Sequence, residues 1–303
     1  MGIGRHRGNR ALLTGIVALA SAAGLPAADN KPTVAASTKT LAELVNAMAA
    51  KARLVESRND ASRAFQSFRS AFNLQPDAVT TLDYVTARLF FEAARDAGFW
   101  NLHWAITDLP PNSDNIWRQW KSATSPAPLT PTATAECDEL SALYAFLVRR
   151  AGIRGVGLLW PTANHTVAAW VIPQSPRPVR IVIPTTQIFL AETDLWGTRK
   201  FDPWRQKVIY EYTRRDVPDS FEIPKPLFDF FLQQADKYGG ASETTLQILR
   251  YWREGIFQKR WSAESVVQEG LKLLQRTDWS ATPEDLAAVR SFVRDIQREA
   301  GRR

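Results

Sequence analysis

Apolar residues recur at helical spacing from position 41 onward: Leu41, Leu44, Val45, Met48 and Val55, then Ala61, Phe65, Phe68 and Phe72. Just ahead of them, Thr40-Leu41-Ala42-Glu43 reads as a capping box, in which hydroxyl and carboxylate satisfy each other's backbone N–H groups. The spacing predicts one long helix or two over residues 40–73. Gln75-Pro76-Asp77 breaks it, and Leu82, Val85, Leu89 and Ala93 mark a further amphipathic helix ending near Gly98.

The pattern then changes. An aromatic segment, Phe99 to Trp104, leads through Pro110-Pro111 to a short helix containing Trp117 and Trp120, and residues 122–134 have loop composition. Residues 135–150 set Leu140, Leu143, Tyr144, Leu147 and Val148 on one helical face, which stops at Ala151-Gly152. Three strand-like runs follow at 155–160, 166–172 and 180–183, and their short links argue for an antiparallel sheet. From about residue 217 the chain turns helical again, closing with an amphipathic helix over 283–300.

Composition narrows the function. One cysteine excludes a disulfide framework and any multi-thiolate metal site, and His6, His103 and His165 are too widely spaced for a local ligand motif. Without a phosphate-loop, dinucleotide or zinc-peptidase motif, no metal and no cofactor is expected. Residues 1–10 are basic, residues 11–25 are uncharged and apolar, and small residues follow at Pro26-Ala27-Ala28. That order predicts a signal peptide over residues 1–28, cleaved between Ala23 and Ala28, and a secreted or periplasmic protein. No later apolar run is long enough to span a bilayer, so no transmembrane segment is expected after signal removal. Removing the signal lowers the net charge from +7 to +4, and the remaining basic residues alternate with acids, which argues against a nucleic-acid partner.

A single cysteine exported to an oxidising compartment either lies buried and inert or is kept for its reactivity. Cys137 stands two residues into a helix, where backbone N–H groups and the macrodipole favour a thiolate. The flanking Glu136, Asp138 and Glu139 oppose that effect, although exposed carboxylates pointing away from the sulfur would matter little. His165 opens a strand after a turn, so a helix-borne cysteine precedes a strand-borne histidine, the order a nucleophile–base pair needs.

Three stretches, Glu136 to Leu143, Leu147 to Arg154 and Asn164 to Val171, together resemble the transglutaminase-like superfamily. The resemblance covers roughly residues 80–190. It implies an α+β, papain-like core with a cysteine-bearing helix packed on an antiparallel sheet, flanked by N- and C-terminal helical extensions. The implied organisation is signal peptide 1–28, helical segment 29–79, transglutaminase-like core 80–215 and C-terminal helical region 216–303. Cys137 and His165 are the implied catalytic residues, and a peptide or protein the implied substrate. An upstream tryptophan would assist an oxyanion hole, with Trp100, Trp104, Trp117 and Trp120 as candidates.

One position departs from the family pattern. Where a triad aspartate is usual, Ile181-Val182-Ile183-Pro184-Thr185 places Ile183, which cannot accept a hydrogen bond from imidazole. Thr185, Gln187, Asp194 and Asp202 are candidate replacements, Thr185 first because strand alternation returns it to the face of position 183. Three readings follow: a thiol-dependent peptidase, amidase or acyltransferase; a degraded module that binds peptides or cell-envelope polymers; or a structural helical protein with a buried cysteine.

Overall fold

The computed structural model describes residues 38–95, 102–104, 114, 117, 133–135, 137–163, 165–185, 196, 201–257 and 259–300. Its first helix forms where the capping box predicts. The Glu43 N–H donates to Thr40 Oγ1 at 3.2 Å and the Thr40 N–H to Glu43 Oε2 at 2.7 Å, starting α1 (Leu41–Glu56). Ser57 ends it, so the long apolar stripe is two helices, and α2 (Asn59–Phe72) stops at Asn73 in the left-handed conformation, φ +50°. A second reciprocal cap, between Thr80 and Asp83, opens α3 (Thr81–Arg95).

The helix carrying Cys137, α4 (Cys137–Arg150), is the centre of the molecule. Every residue from Asp138 to Val148 is buried, as expected of a helix enclosed on all sides rather than amphipathic at a surface. Leu143 and Leu147 expose nothing, and each such side chain contributes about 2 kcal/mol by leaving water. Gly152, at φ +99°, turns the chain out of α4 into the sheet.

Strands β4 (Val156–Thr162), β5 (His165–Ile172) and β6 (Val179–Ile183) form an antiparallel sheet in that order, close to the predicted runs. Pairing sets Ala168 opposite Leu158 and Ile183, and the β4–β5 register slips between Leu159 and Thr162. The two faces differ. Leu158, Ala168, Trp170, Ile181 and Ile183 share the main core with α4, whereas Leu159, Val167, Ala169 and Val182 form a separate cluster with Phe201 and Ile209. Phe201 and Ile209 therefore cover the sheet face opposite α4, while Tyr212 returns to the core on the α4 side.

The remaining elements frame this unit. Short strand β1 (Thr38–Thr40) pairs antiparallel with β7 (Glu222–Pro224), and β2 (Leu102–Trp104) pairs parallel with β3 (Ala133–Ala135). Helix α5 (Lys225–Gly240) docks Phe231 into the main core beside Phe90. Helices α6 (Glu243–Phe257), α7 (Ala263–Gln275) and α8 (Pro283–Ala300) build a second core around Leu249, Val266 and Phe292. Arg250 of α6 and Arg88 of α3 share the buried carboxylate of Glu92, tying this second core to α3. The whole is a mixed helical and antiparallel α+β architecture. Among the described residues no helix is long and apolar enough to cross a membrane. The predicted signal, residues 1–28, lies outside the described residues.

Candidate functional site

Cys137 is the first residue of α4 and is half-buried. The next two residues, Asp138 and Glu139, are buried, 3% and 5% exposed, rather than turned to solvent. Enclosure of α4 from its first turn is the cause, and the helix N-terminus is where carboxylates are best tolerated.

One turn on, Ser141 is fully buried and joins three segments. Its Oγ lies 2.6 Å from the Cys137 carbonyl oxygen, 3.1 Å from the Thr166 carbonyl oxygen and 2.5 Å from Thr185 Oγ1. A hydroxyl has one proton, so the consistent arrangement has Thr185 donating to Ser141, which donates in turn to the two carbonyls. The node fixes the start of α4 against the start of β5 and the end of β6. A serine four residues after the cysteine, opening the apolar run that continues to Val148, was the sequence signal for it.

His165 is the first residue of β5 and 4% exposed. It alternates with Val167 and Ala169, and its ring packs against Phe201 at 5.5 Å between centroids, on the sheet face away from α4. Burial pushes its pKa down from 6.5 to about 4, so the imidazole is neutral at pH 7. It stands ready to accept a proton, not as a standing imidazolium. Ser141 thus brings the Cys137 helix and the His165 strand to one end of the sheet, with the histidine on the far face of that end.

The third-residue candidates separate. Thr185 does share the face of Ile183, but that face is the one α4 covers, and its hydroxyl bonds to Ser141 instead of the imidazole. The alternation argument was right about Thr185 and Ile183; what it lacked was the register that sets His165 on the other face. Asp202 follows Phe201 in the covering segment, is exposed, and accepts the Trp204 N–H at 2.8 Å. Gln187 and Asp194 lie outside the described residues. Of the candidate tryptophans, Trp117 is ruled out as an oxyanion donor. It is 2% exposed, its indole N–H donates to Tyr212 Oη at 3.0 Å, and its ring is seated on Phe146. Trp100, Trp120 and the Trp104 side chain lie outside the description.

Among the described residues, no group of three or more histidine, cysteine or carboxylate side chains is assembled to hold a metal ion. No family model matches the chain, and neither a curated protein nor a solved structure does.

Proposed function

We propose that the chain is an exported transglutaminase-like protein with a papain-like core, a thiol-dependent peptidase, amidase or acyltransferase acting on peptide or isopeptide bonds. The observation that carries this reading is the Ser141 node, which holds the helix beginning at Cys137 to the strand beginning at His165. Cys137 and His165 stand at the same end of the sheet but on different sides of it, so in the proposed reaction the neutral imidazole takes the thiol proton around that end as sulfur attacks the amide carbon. The backbone N–H of Cys137 helps hold the resulting oxyanion, and the imidazolium returns its proton to the leaving amine. Water, or a second amine, then resolves the thioester. A base with a pKa of about 4 draws the proton weakly, so turnover is slow unless substrate raises that value.

Two observations favour the second reading, a degraded module that binds peptides or cell-envelope polymers. Ile183 stands at the aspartate position inside the core, and the Thr185 hydroxyl is committed to Ser141. Iodoacetamide labelling of the native protein across pH, alongside hydrolysis of a generic peptide amide, separates the readings. The enzyme reading expects labelling and turnover to disappear together in Cys137→Ala. Turnover that survives this substitution rules out the thiol chemistry, and binding without turnover supports the module.

A further inference from the structure

Helices α1, α2, α3 and α6 close on a half-open cleft of about 510 Å³, mouth included. It lies on another face of α3 from the one that packs on α4, where the Ala87 carbonyl and Phe91 meet Tyr144. Tyr84, Val85, Arg88, Leu89 and Glu92 recur at helical spacing and form one wall, about 12 Å long at 1.5 Å per residue. From α2 the lining includes the methyl groups of Ala61 and Ala64, whose small size leaves the space open. Ala241 and Leu246 of the second core also line it. Such a volume, apolar lining and few charged groups are those of a small-molecule site.

The charged groups set its chemistry. Arg58 binds Asp60 through two hydrogen bonds, 3.0 and 2.9 Å, and donates to the Gly240 carbonyl, so this guanidinium has a carboxylate of its own. Arg88 is different. At 2.8 Å it shares the buried carboxylate of Glu92 with Arg250, two guanidinium groups on one anion. Its guanidinium also lies 5.6 Å from the Phe91 and Trp196 ring centres, which holds the charge in place. Among the described residues, three guanidinium groups and two carboxylates thus stand in the wall or directly behind it. Asp285 reaches Ser242, beside Ala241, but it caps both Ser242 and Thr282, and the N-termini of α6 and α8 offset its charge.

We propose that this cleft binds a small amphipathic carboxylate, with its anionic head on Arg88 and its hydrocarbon body along α3 against Ala61 and Ala64. A guanidinium recognises a carboxylate through paired, charge-assisted hydrogen bonds. A cationic ligand is disfavoured, because Asp60 and Glu92 are each already held by guanidinium groups. A ligand polar throughout is disfavoured too, because Val85, Leu89 and Leu246 would strip its water without returning hydrogen bonds. The site uses neither Cys137 nor His165 and stands apart from the thiol chemistry.

The test titrates the full chain calorimetrically with octanoate, octanol and octylamine, which share a body and differ in the head. Octanoate should bind at least about tenfold more tightly than octanol, the worth of a hydrogen bond to a charged group, and octylamine should not bind. In Arg88→Met the advantage of octanoate should vanish while octanol binding stays, a split that general loosening of the fold would not produce. Arg88→Lys, which keeps the charge without the paired donors, should fall between and serves where the methionine variant does not fold. In Ala64→Leu, which fills the cleft and leaves every charge, both ligands should weaken together by at least about tenfold. Circular dichroism checks that each variant folds. Octanol binding as tightly as octanoate, binding of octylamine, an octanoate advantage undiminished by the Arg88 substitutions, indifference to Ala64→Leu, or no binding at all overturns the proposal.

Discussion

The hydroxyls of Ser141 and Thr185 lie 2.5 Å apart in the fully buried interior, joining the first turns of α4 to the end of β6. This pair explains why position 185 does not orient the imidazole. A threonine proton given to Ser141 stays on the α4 face, while His165 packs on Phe201 across the sheet. Whatever orients the imidazole comes from elsewhere than Thr185.

Ser141→Ala should therefore reach beyond one lost bond. It leaves the Thr185 hydroxyl buried without its acceptor, at a cost of about 1–3 kcal/mol. Ser141→Ala combined with Thr185→Val should cost clearly less than the two changes summed, because the second removes the stranded group. Denaturant midpoints of the four proteins measure this, and strict additivity would show that the hydroxyls do not act as a pair.

The buried imidazole gives a pH dependence of definite sign. In the unfolded chain His165 takes up a proton near its ordinary 6.5, in the folded chain not until about 4. Between these values the unfolded state holds more protons, so stability rises with pH through the window and is lost as pH falls through it. Below the lower value both states are protonated and the loss stops. Comparing His165→Gln with the parent at pH 7 and pH 5 isolates the effect: the parent should lose more stability than the variant. Equal losses would mean that the imidazole titrates as if in water.

How much of this was legible in the sequence depended on periodicity. The Thr40 cap, the helix beginning at Cys137 and the three strands all carry a repeat of 3.6 or 2 and fell within two residues of their places. Residues 201–209 carry no repeat, because their conformation is set by Arg180 and Gln206 reaching their backbone, so Phe201 beside His165 could not be read. The burial of Asp138 and Glu139 was hidden for a different reason. Charge argues for solvent unless tertiary structure encloses the helix, and no local pattern reports enclosure.

Gly157→Ala tests how the covering segment is attached. The new Cβ meets backbone, the Tyr210 carbonyl oxygen at 2.4 Å, which cannot rotate aside as a flexible side chain would. The segment must shift, at a cost of about 1–3 kcal/mol. Faster hydrogen exchange at the Leu158 and Tyr210 amides, whose mutual bonds span the contact, should accompany the loss. Unchanged protection at both amides would show that the segment is not held to β4 there.

Replacing Ile183 with aspartate would restore the sequence pattern of a triad, yet the register argues against restored function. Ile183 is fully buried opposite Ala168, on the face shared with α4, while the His165 ring lies on the other face against Phe201. A carboxyl group there enters an apolar core with no cation among its strand neighbours. Ile183→Asp should cost upwards of about 3 kcal/mol, more at pH 7 than at pH 5, where protonation relieves the buried charge. Ile183→Val, which only removes a methyl group, should cost about 1 kcal/mol. Neither should raise the rate of Cys137 alkylation or of amide hydrolysis. Folded Ile183→Asp protein with faster thiol chemistry than the parent would show that position 183 does reach the imidazole, and would put the aspartate-bearing strand of a working triad where the isoleucine now stands.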